Sequence, residues 1–184
     1  MIVLASQSPR RSEILRQAGI SFVARPSNVD ETARPGESPE DYVKRVARDK
    51  AMAAAAALGE IVLGADTVVV IDGEILGKPA GSADAARMLD LLADREHQVL
   101  TGICLRRGVE IVIDCARTRV WFTPLMREEI AEYVASGEPM DKAGAYAIQG
   151  LASKVIERIE GSYANVVGLP IELVYRHLRK WEDK

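Results

Sequence analysis

The sequence predicts an α/β fold on a mixed, twisted sheet with flanking helices. Short β-branched apolar runs interleave with stretches that begin on helix-capping signals. Some of these runs are joined by hairpin turns and others by helices, so the sheet has to combine antiparallel and parallel pairs. The chain has no internal repeat and no long linker, so its 184 residues are expected to form one domain, residues 1–184.

Ile2 to Ala5 has the length and branching of a buried strand. Ser8-Pro9 is an N-cap followed by proline at the first helical position, and it opens a helix to about Ala18, with Gly19 as its stop. Ile20 to Ala24 is a second strand, and Arg25 to Glu37, with Pro26, Pro35 and Gly36, is a loop. Ser38-Pro39 repeats the capping signal and starts the longest helix, expected to end near Gly59. Ile61 to Ala65 and Thr67 to Ile71 are strand-like, and Asp72-Gly73 turns the chain into Ile75-Leu76. Ser82 is expected to cap a helix to about Ala93. Gln98 to Arg106 and Glu110 to Phe122 form a longer hairpin, and Arg127 to Ala135 is a helix closed by Gly137. A loop-rich stretch to Gly150, a strand from Lys154 to Ile159, a turn at Gly161-Ser162 and a closing helix from Leu169 to Trp181 complete the pattern.

Composition narrows the function. A net charge of −3 argues against broad nucleic-acid binding, which needs an extended basic surface. The N-terminus lacks a basic leader, and the apolar stretch from Ala51 to Ile71 is interrupted by Gly59, Glu60 and Asp66. No membrane association is expected, and the protein reads as soluble and cytoplasmic. Cys104 and Cys115 have neither metal-site spacing nor the density of a disulfide scaffold, so they read as small hydrophobes.

Four constellations carry chemistry. Ser6-Gln7-Ser8-Pro9-Arg10-Arg11 lies where a strand becomes a helix, and free N–H groups there bind anions. The same residues suit an ordinary N-cap with solvated arginines. Gly64-Ala65-Asp66-Thr67 places a carboxylate between two apolar runs, where it must pair with a cation, hold a metal, or sit at a strand end. Glu31, Lys50 and Lys78 are scattered, and Lys78 stands out because Gly77 and Pro79 fix the backbone around it. The segment from Glu138 to Gly150 is rich in small residues, with Tyr146 and Gln149 able to stack on or hydrogen-bond a planar group. The chain has no phosphate-binding Gly-x-x-x-x-Gly-Lys loop and no Gly-x-Ser-x-Gly elbow.

In order, these segments resemble the Maf family of nucleotide pyrophosphatases. The run is Leu4-Ala5-Ser6-Gln7-Ser8-Pro9-Arg10-Arg11, Val29-Asp30-Glu31, Ala47-Arg48-Asp49-Lys50-Ala51, Gly64-Ala65-Asp66-Thr67-Val68 and Gly77-Lys78-Pro79. It continues through His97-Gln98-Val99-Leu100-Thr101-Gly102 and Asp141-Lys142-Ala143-Gly144-Ala145-Tyr146. It ends with Gly161-Ser162-Tyr163-Ala164-Asn165-Val166-Val167-Gly168-Leu169-Pro170. The resemblance implies two lobes around a cleft, similar in architecture to inosine triphosphate pyrophosphatases. It also implies Asp66 as general base, with Glu31, Lys50 and Lys78 completing the catalytic set.

By the same resemblance Arg11 binds phosphate beside Ser6 and Ser8. Carboxylates alone would repel a triphosphate, so a divalent cation, Mg²⁺ or Mn²⁺, is expected to bridge Glu31 and Asp66 to the phosphates, with Asp66 either the base or a metal ligand. Arg10, Thr67 and Gln149 resemble the base selectors of the branch acting on dTTP and UTP. A nucleoside triphosphate substrate and a homodimer are implied as well. Two other readings compete: a purine-directed pyrophosphatase removing nucleotides such as ITP, and a nucleotide-binding regulator of septum formation with little catalysis.

Overall fold

The computed structural model describes residues 1–182, so the last two residues of the expected domain lie outside the described residues. The architecture is mixed α/β. The strands are β1 (Ile2–Leu4), β2 (Phe22–Ala24), β3 (Ile61–Ile71), β4 (Glu74–Leu76), β5 (Glu96–Arg107), β6 (Glu110–Phe122) and β7 (Ile156–Glu160). The helices are α1 (Pro9–Gln17), α2 (Pro39–Ala53), α3 (Ser82–Leu92), α4 (Arg127–Ala135), α5 (Tyr163–Val167) and α6 (Ile171–Glu182). The strands form one seven-stranded sheet in the order β2-β1-β3-β5-β6-β7, with β4 paired to β3 off this path. β1 runs parallel to β2 and β3, while β3–β4 and β6–β7 are antiparallel, so the sheet is mixed as expected.

The chain divides into two compact units. The first comprises Met1–Thr67, Thr101–Ala116 and the chain from Gly168 onward; the second comprises Val68–Leu100 and Arg117–Val167. In the first unit, Val3, Ala5, Ala47, Ala51, Ala54, Val62 and Cys104 form a core of mostly small side chains. Burial pushes the Cys104 thiol up to about 11, which suits a packed thiol rather than a nucleophile. Small residues matter because α2 lies directly on the sheet. A Cβ at Gly64 on β3 would sit 2.1 Å from the Ala47 carbonyl oxygen and 2.8 Å from the Ala51 nitrogen. A Cβ at Gly102 on β5 would lie 2.3 Å from the Val43 carbonyl oxygen.

Several element boundaries differ from the sequence expectation for identifiable reasons. α2 stops at Ala53 rather than near Gly59. The Arg106 guanidinium donates to the carbonyls of Ala51 and Ala54, satisfying the groups a helix end leaves open, and Ala54 turns extended. The two apolar runs flanking Asp66 form one continuous strand, β3. Ser82 is the first helical residue of α3 rather than its cap; Gly81 occupies the cap position, and Asp84 accepts the Ala80 N–H. The short α5 was not expected. It is held by Asn165, whose buried amide donates to the Val99 carbonyl and the Thr118 hydroxyl.

The second unit has a larger-residue core that includes Val69, Leu89, Leu92, Val99, Phe122, Ile130 and Tyr146. His97, Phe122 and Tyr146 meet edge to face, with ring centroids 4.8–5.4 Å apart. His97 Nε2 and the Tyr146 hydroxyl lie 2.8 Å apart, and both rings are buried. Burial pushes the His97 imidazole down to about 3, far below its ordinary value of 6.5.

Two outcomes are expected. Gly64→Ala cannot be absorbed by a side-chain movement, because the opposing atoms are α2 backbone, and it should destabilise the protein by about 3 kcal/mol in chemical denaturation. His97 should make stability fall with acid. Between pH 6.5 and about 3 the unfolded chain binds a proton that the folded one refuses, so stability is intact above pH 6.5 and is lost as pH drops. His97 should contribute a decline of up to about 1.4 kcal/mol per pH unit below pH 6, a contribution that a His97→Gln variant should lack between pH 6 and the carboxylate range.

Candidate active site

The site builds outward from β3. Side chains alternate across a strand, so Gly64 and Asp66 face α2 while Thr67 faces the other way. The missing Cβ at Gly64 lets α2 approach, and one turn beyond the Ala47 contact α2 presents Lys50. The Lys50 ammonium lies 2.8 Å from Asp66 Oδ1 and 2.9 Å from Glu31 Oε1. Asp66 and Lys50 are both buried; Glu31 is exposed. One cation therefore bridges a buried carboxylate and a solvent-facing one.

Glu31 reaches this position because its loop is tied to α2 by hydrogen bonds, among them one from the Arg45 guanidinium to the Thr32 carbonyl at 3.0 Å. The Tyr42 hydroxyl donates to the Glu31 carbonyl at 2.7 Å, and Ser27 Oγ donates to the Lys50 carbonyl at 2.9 Å. Burial pushes the Asp66 carboxyl above the ordinary carboxylate range, and the attraction of Lys50 and Arg11 opposes but does not cancel it.

On the opposite face of β3, Arg11 spans the residues either side of Asp66. Its Nη1 donates to the Ala65 carbonyl at 2.9 Å and to Ser6 Oγ at 3.1 Å, and its Nη2 donates to Thr67 Oγ1 at 3.0 Å. Its Nε donates to the Gly168 carbonyl at 2.8 Å. Four of the five guanidinium donor directions are thus turned into the protein. Thr67 Oγ1 also lies 2.9 Å from Thr101 Oγ1 and 3.3 Å from the Gly168 carbonyl. Thr101 and Gly168 fall within the family-like motifs, and their place here follows from tertiary contacts that no local signal announces.

The serines complete an anion-receptive corner at the start of α1. Ser6 Oγ accepts from the Ser8 amide and from Arg11, and Ser8 Oγ accepts from the Arg11 amide as N-cap. With their lone pairs engaged by N–H donors, both hydroxyls keep a proton to donate, beside the positive end of a nine-residue helix. Arg10 is half-buried at the second position of that helix.

The structure thus brings together Ser6, Ser8, Arg11 and Thr67 in one network, and Glu31, Lys50 and Asp66 in another, both within the first unit. Lys78 and Gln149 belong to the second unit, and both are exposed. Lys78 follows β4, where the Gly144 amide donates to the Gly77 carbonyl at 3.0 Å. Gln149 occupies a turn after the Asp141–Tyr146 segment. Among the described residues no group of three or more His, Cys, Asp or Glu side chains could hold a metal alone. Glu31 and Asp66 each turn one oxygen to Lys50, and among the described residues the second oxygen of each carboxylate has no protein hydrogen-bond donor. Such a pair suits a hard divalent cation bound jointly with phosphates.

A buried carboxylate paired with a lysine and a serine-lined helix start, both in the first unit, are chemically suited to an anionic substrate and base-assisted chemistry. The chain belongs to the Maf-like protein family, whose model matches residues 1–181. A protein of Koribacter versatilis named dTTP/UTP pyrophosphatase is 51% identical over 180 residues, covering 97% of this chain and 93% of the relative. A Geobacter metallireducens protein of the same name is 54% identical over 181 residues, covering 97% and 94%. Among solved structures, the Staphylococcus aureus Ham1 protein aligns over 66% of this chain and 71% of its own at 20% identity and a TM-score of 0.48; the fold assignment rests instead on the strand order above.

Arg11→Lys should show how far the site depends on the guanidinium fork. A lysine cannot reach the Ala65 and Gly168 carbonyls and two hydroxyls together, so buried acceptors lose their donors. Thermal or chemical unfolding should register a loss of about 2–3 kcal/mol.

Proposed function

We propose that the protein is a nucleoside triphosphate pyrophosphatase hydrolysing dTTP and UTP to the monophosphate and pyrophosphate. The observation that carries this reading is Asp66, a buried carboxylate of raised proton affinity held by Lys50 with Glu31 on the solvent side. The names of relatives above 50% identity over nearly the whole chain support the substrate class.

The chemistry follows from the residues. The triphosphate oxygens are received by the hydroxyls of Ser6 and Ser8 and the N-terminus of α1. Arg11, held by Ser6, Ala65, Thr67 and Gly168, fixes both that corner and the backbone on either side of Asp66. Asp66 accepts a proton from a water whose oxygen attacks the α-phosphorus, and the bond from that phosphorus to the bridging oxygen breaks as pyrophosphate leaves. The raised proton affinity of Asp66 favours that acceptance, while Lys50 keeps the carboxylate oriented and charged. Lys78 acts as a further cation toward the phosphates. Glu31, joined by Asp66 in the alternative where that carboxylate is a metal ligand rather than the base, would hold a divalent cation, Mg²⁺ or Mn²⁺, which when bound supplies neutralisation of the phosphate charge.

Base selection is assigned to Arg10, Thr67 and Gln149. Gln149 offers a donor and an acceptor to a pyrimidine edge. Thr67, its hydroxyl already committed to Arg11, Thr101 and Gly168, acts through that network. Thymine and uracil differ by one methyl group, which a pocket resolves by only about 1–3 kcal/mol, so both triphosphates should be turned over. Among the described residues no helix is long and apolar enough to cross a membrane. A cytoplasmic location and a homodimer belong to the same reading through the family.

Pyrophosphate release from a panel of nucleoside triphosphates, with and without Mg²⁺ or Mn²⁺, tests the proposal. Metal-dependent release should be fastest with dTTP and UTP and should fall about 10²–10⁴-fold in Asp66→Asn, the usual range for a lost general base. Faster turnover of ITP or another purine would overturn the pyrimidine assignment. Nucleotide binding without release would favour a regulatory protein.

A further inference from the structure

Gln149 sits at the exposed tip of a turn whose two ends are tied to the same pair of side chains. At its start, the Ala147 amide donates to the Tyr133 hydroxyl at 3.3 Å. At its end, the Leu151 amide lies 3.0 and 3.1 Å from the two carboxylate oxygens of Glu138. The circuit closes between these anchors, because the Tyr133 hydroxyl donates to Glu138 Oε1 at 2.8 Å. Within the turn the Gly150 amide donates to the Ala147 carbonyl, and the Gly150 carbonyl accepts from the Ser153 amide at 3.0 Å.

Tyr133 lies on α4, and Glu138 opens the short 3₁₀ turn Glu138–Asp141 that follows it. Both side chains are half-buried. Gly150 leaves room for the carboxylate in this position: a Cβ there would stand 2.2 Å from Glu138 Oε1 and 2.4 Å from its Cδ and would displace that side-chain end. Its backbone is extended, at φ −109° and ψ −151°, so the glycine answers to the carboxylate and not to a left-handed conformation.

We infer that Tyr133 and Glu138 are positioning residues for substrate selection, a hydrogen-bonded clamp that sets the 147–150 turn and thereby the direction in which Gln149 presents its amide. The inference rests on the proposed role of Gln149 as a base contact. An exposed glutamine on an untied turn would sample many orientations, and each would weaken discrimination. The clamp removes that freedom without touching the substrate. Tyr133 and Glu138 therefore act through Gln149 alone.

The test is a double-mutant cycle on the metal-loaded enzyme, with kcat and KM for dTTP and for GTP as readouts. Tyr133→Phe removes both hydroxyl bonds at almost constant volume; Glu138→Ala is the second variant, and melting temperatures verify that each is folded. Each should lower kcat/KM for dTTP by about threefold to tenfold, the worth of one hydrogen bond, mainly through KM, and should narrow the preference over GTP. Gln149→Ala should do the same, and Tyr133→Phe added to Gln149→Ala should cause no further loss. Full additivity of the two losses would overturn the clamp, as would wild-type kinetics in folded Tyr133→Phe and Glu138→Ala alongside an impaired Gln149→Ala. If Gln149→Ala itself keeps wild-type kinetics and preference, the base-reading role fails and the inference falls with it.

Discussion

Everything in the first unit's site depends on how closely α2 can lie on the sheet. An ionised carboxylate on a buried strand is costly unless a cation accompanies it, and Asp66 has one only because Lys50 reaches it from α2. That reach requires backbone-to-backbone contact at Gly64 and Gly102, where any side chain would collide with the helix. The small-residue core of Ala5, Ala47, Ala51 and Ala54 serves the same constraint. Packing and chemistry are one problem here: a bulkier interface would hold the helix off and leave the carboxylate unpaired.

Burial and pairing work against each other at Asp66, and the balance suits its proposed role. Desolvation raises its proton affinity, Lys50 and Arg11 lower it, and desolvation prevails. A base needs both a negative charge and an appetite for a proton. The Arg11 fork holds Ser6, Ala65, Thr67 and Gly168 in register. In the proposed reading the serine hydroxyls and the α1 terminus receive the anion beside Arg11.

Much of the fold was legible because its signals are local. The Ser8-Pro9 and Ser38-Pro39 starts of α1 and α2, the Asp72-Gly73 hairpin and the β5–β6 pair depend on residues adjacent in the chain. The errors fall where distant residues intervene. The end of α2 is set by Arg106, 52 residues beyond Ala54 in the chain, and α5 is held by Asn165 bonding to Val99 and Thr118. The candidate site divides the same way. Asp66 stood out as a charge between apolar runs, but nothing near Tyr42, Ser27 or Thr101 in the sequence marks them as supports of Glu31, Lys50 and Thr67.

By itself the sequence determined the element types, the mixed α/β class, the family and the residue types on which the chemistry draws. These rest on periodicity, capping and an ordered set of motifs, all readable along one dimension. Only the tertiary structure decided which charges meet: that Lys50 bridges Glu31 and Asp66, that Arg11 faces inward, and that Glu138 and Tyr133 hold the turn of Gln149. The physical reason is range. Turn and helix signals act over a few residues, whereas hydrogen bonds and ion pairs act over a few ångströms between residues that may be a hundred apart in the chain, and folding alone sets those distances.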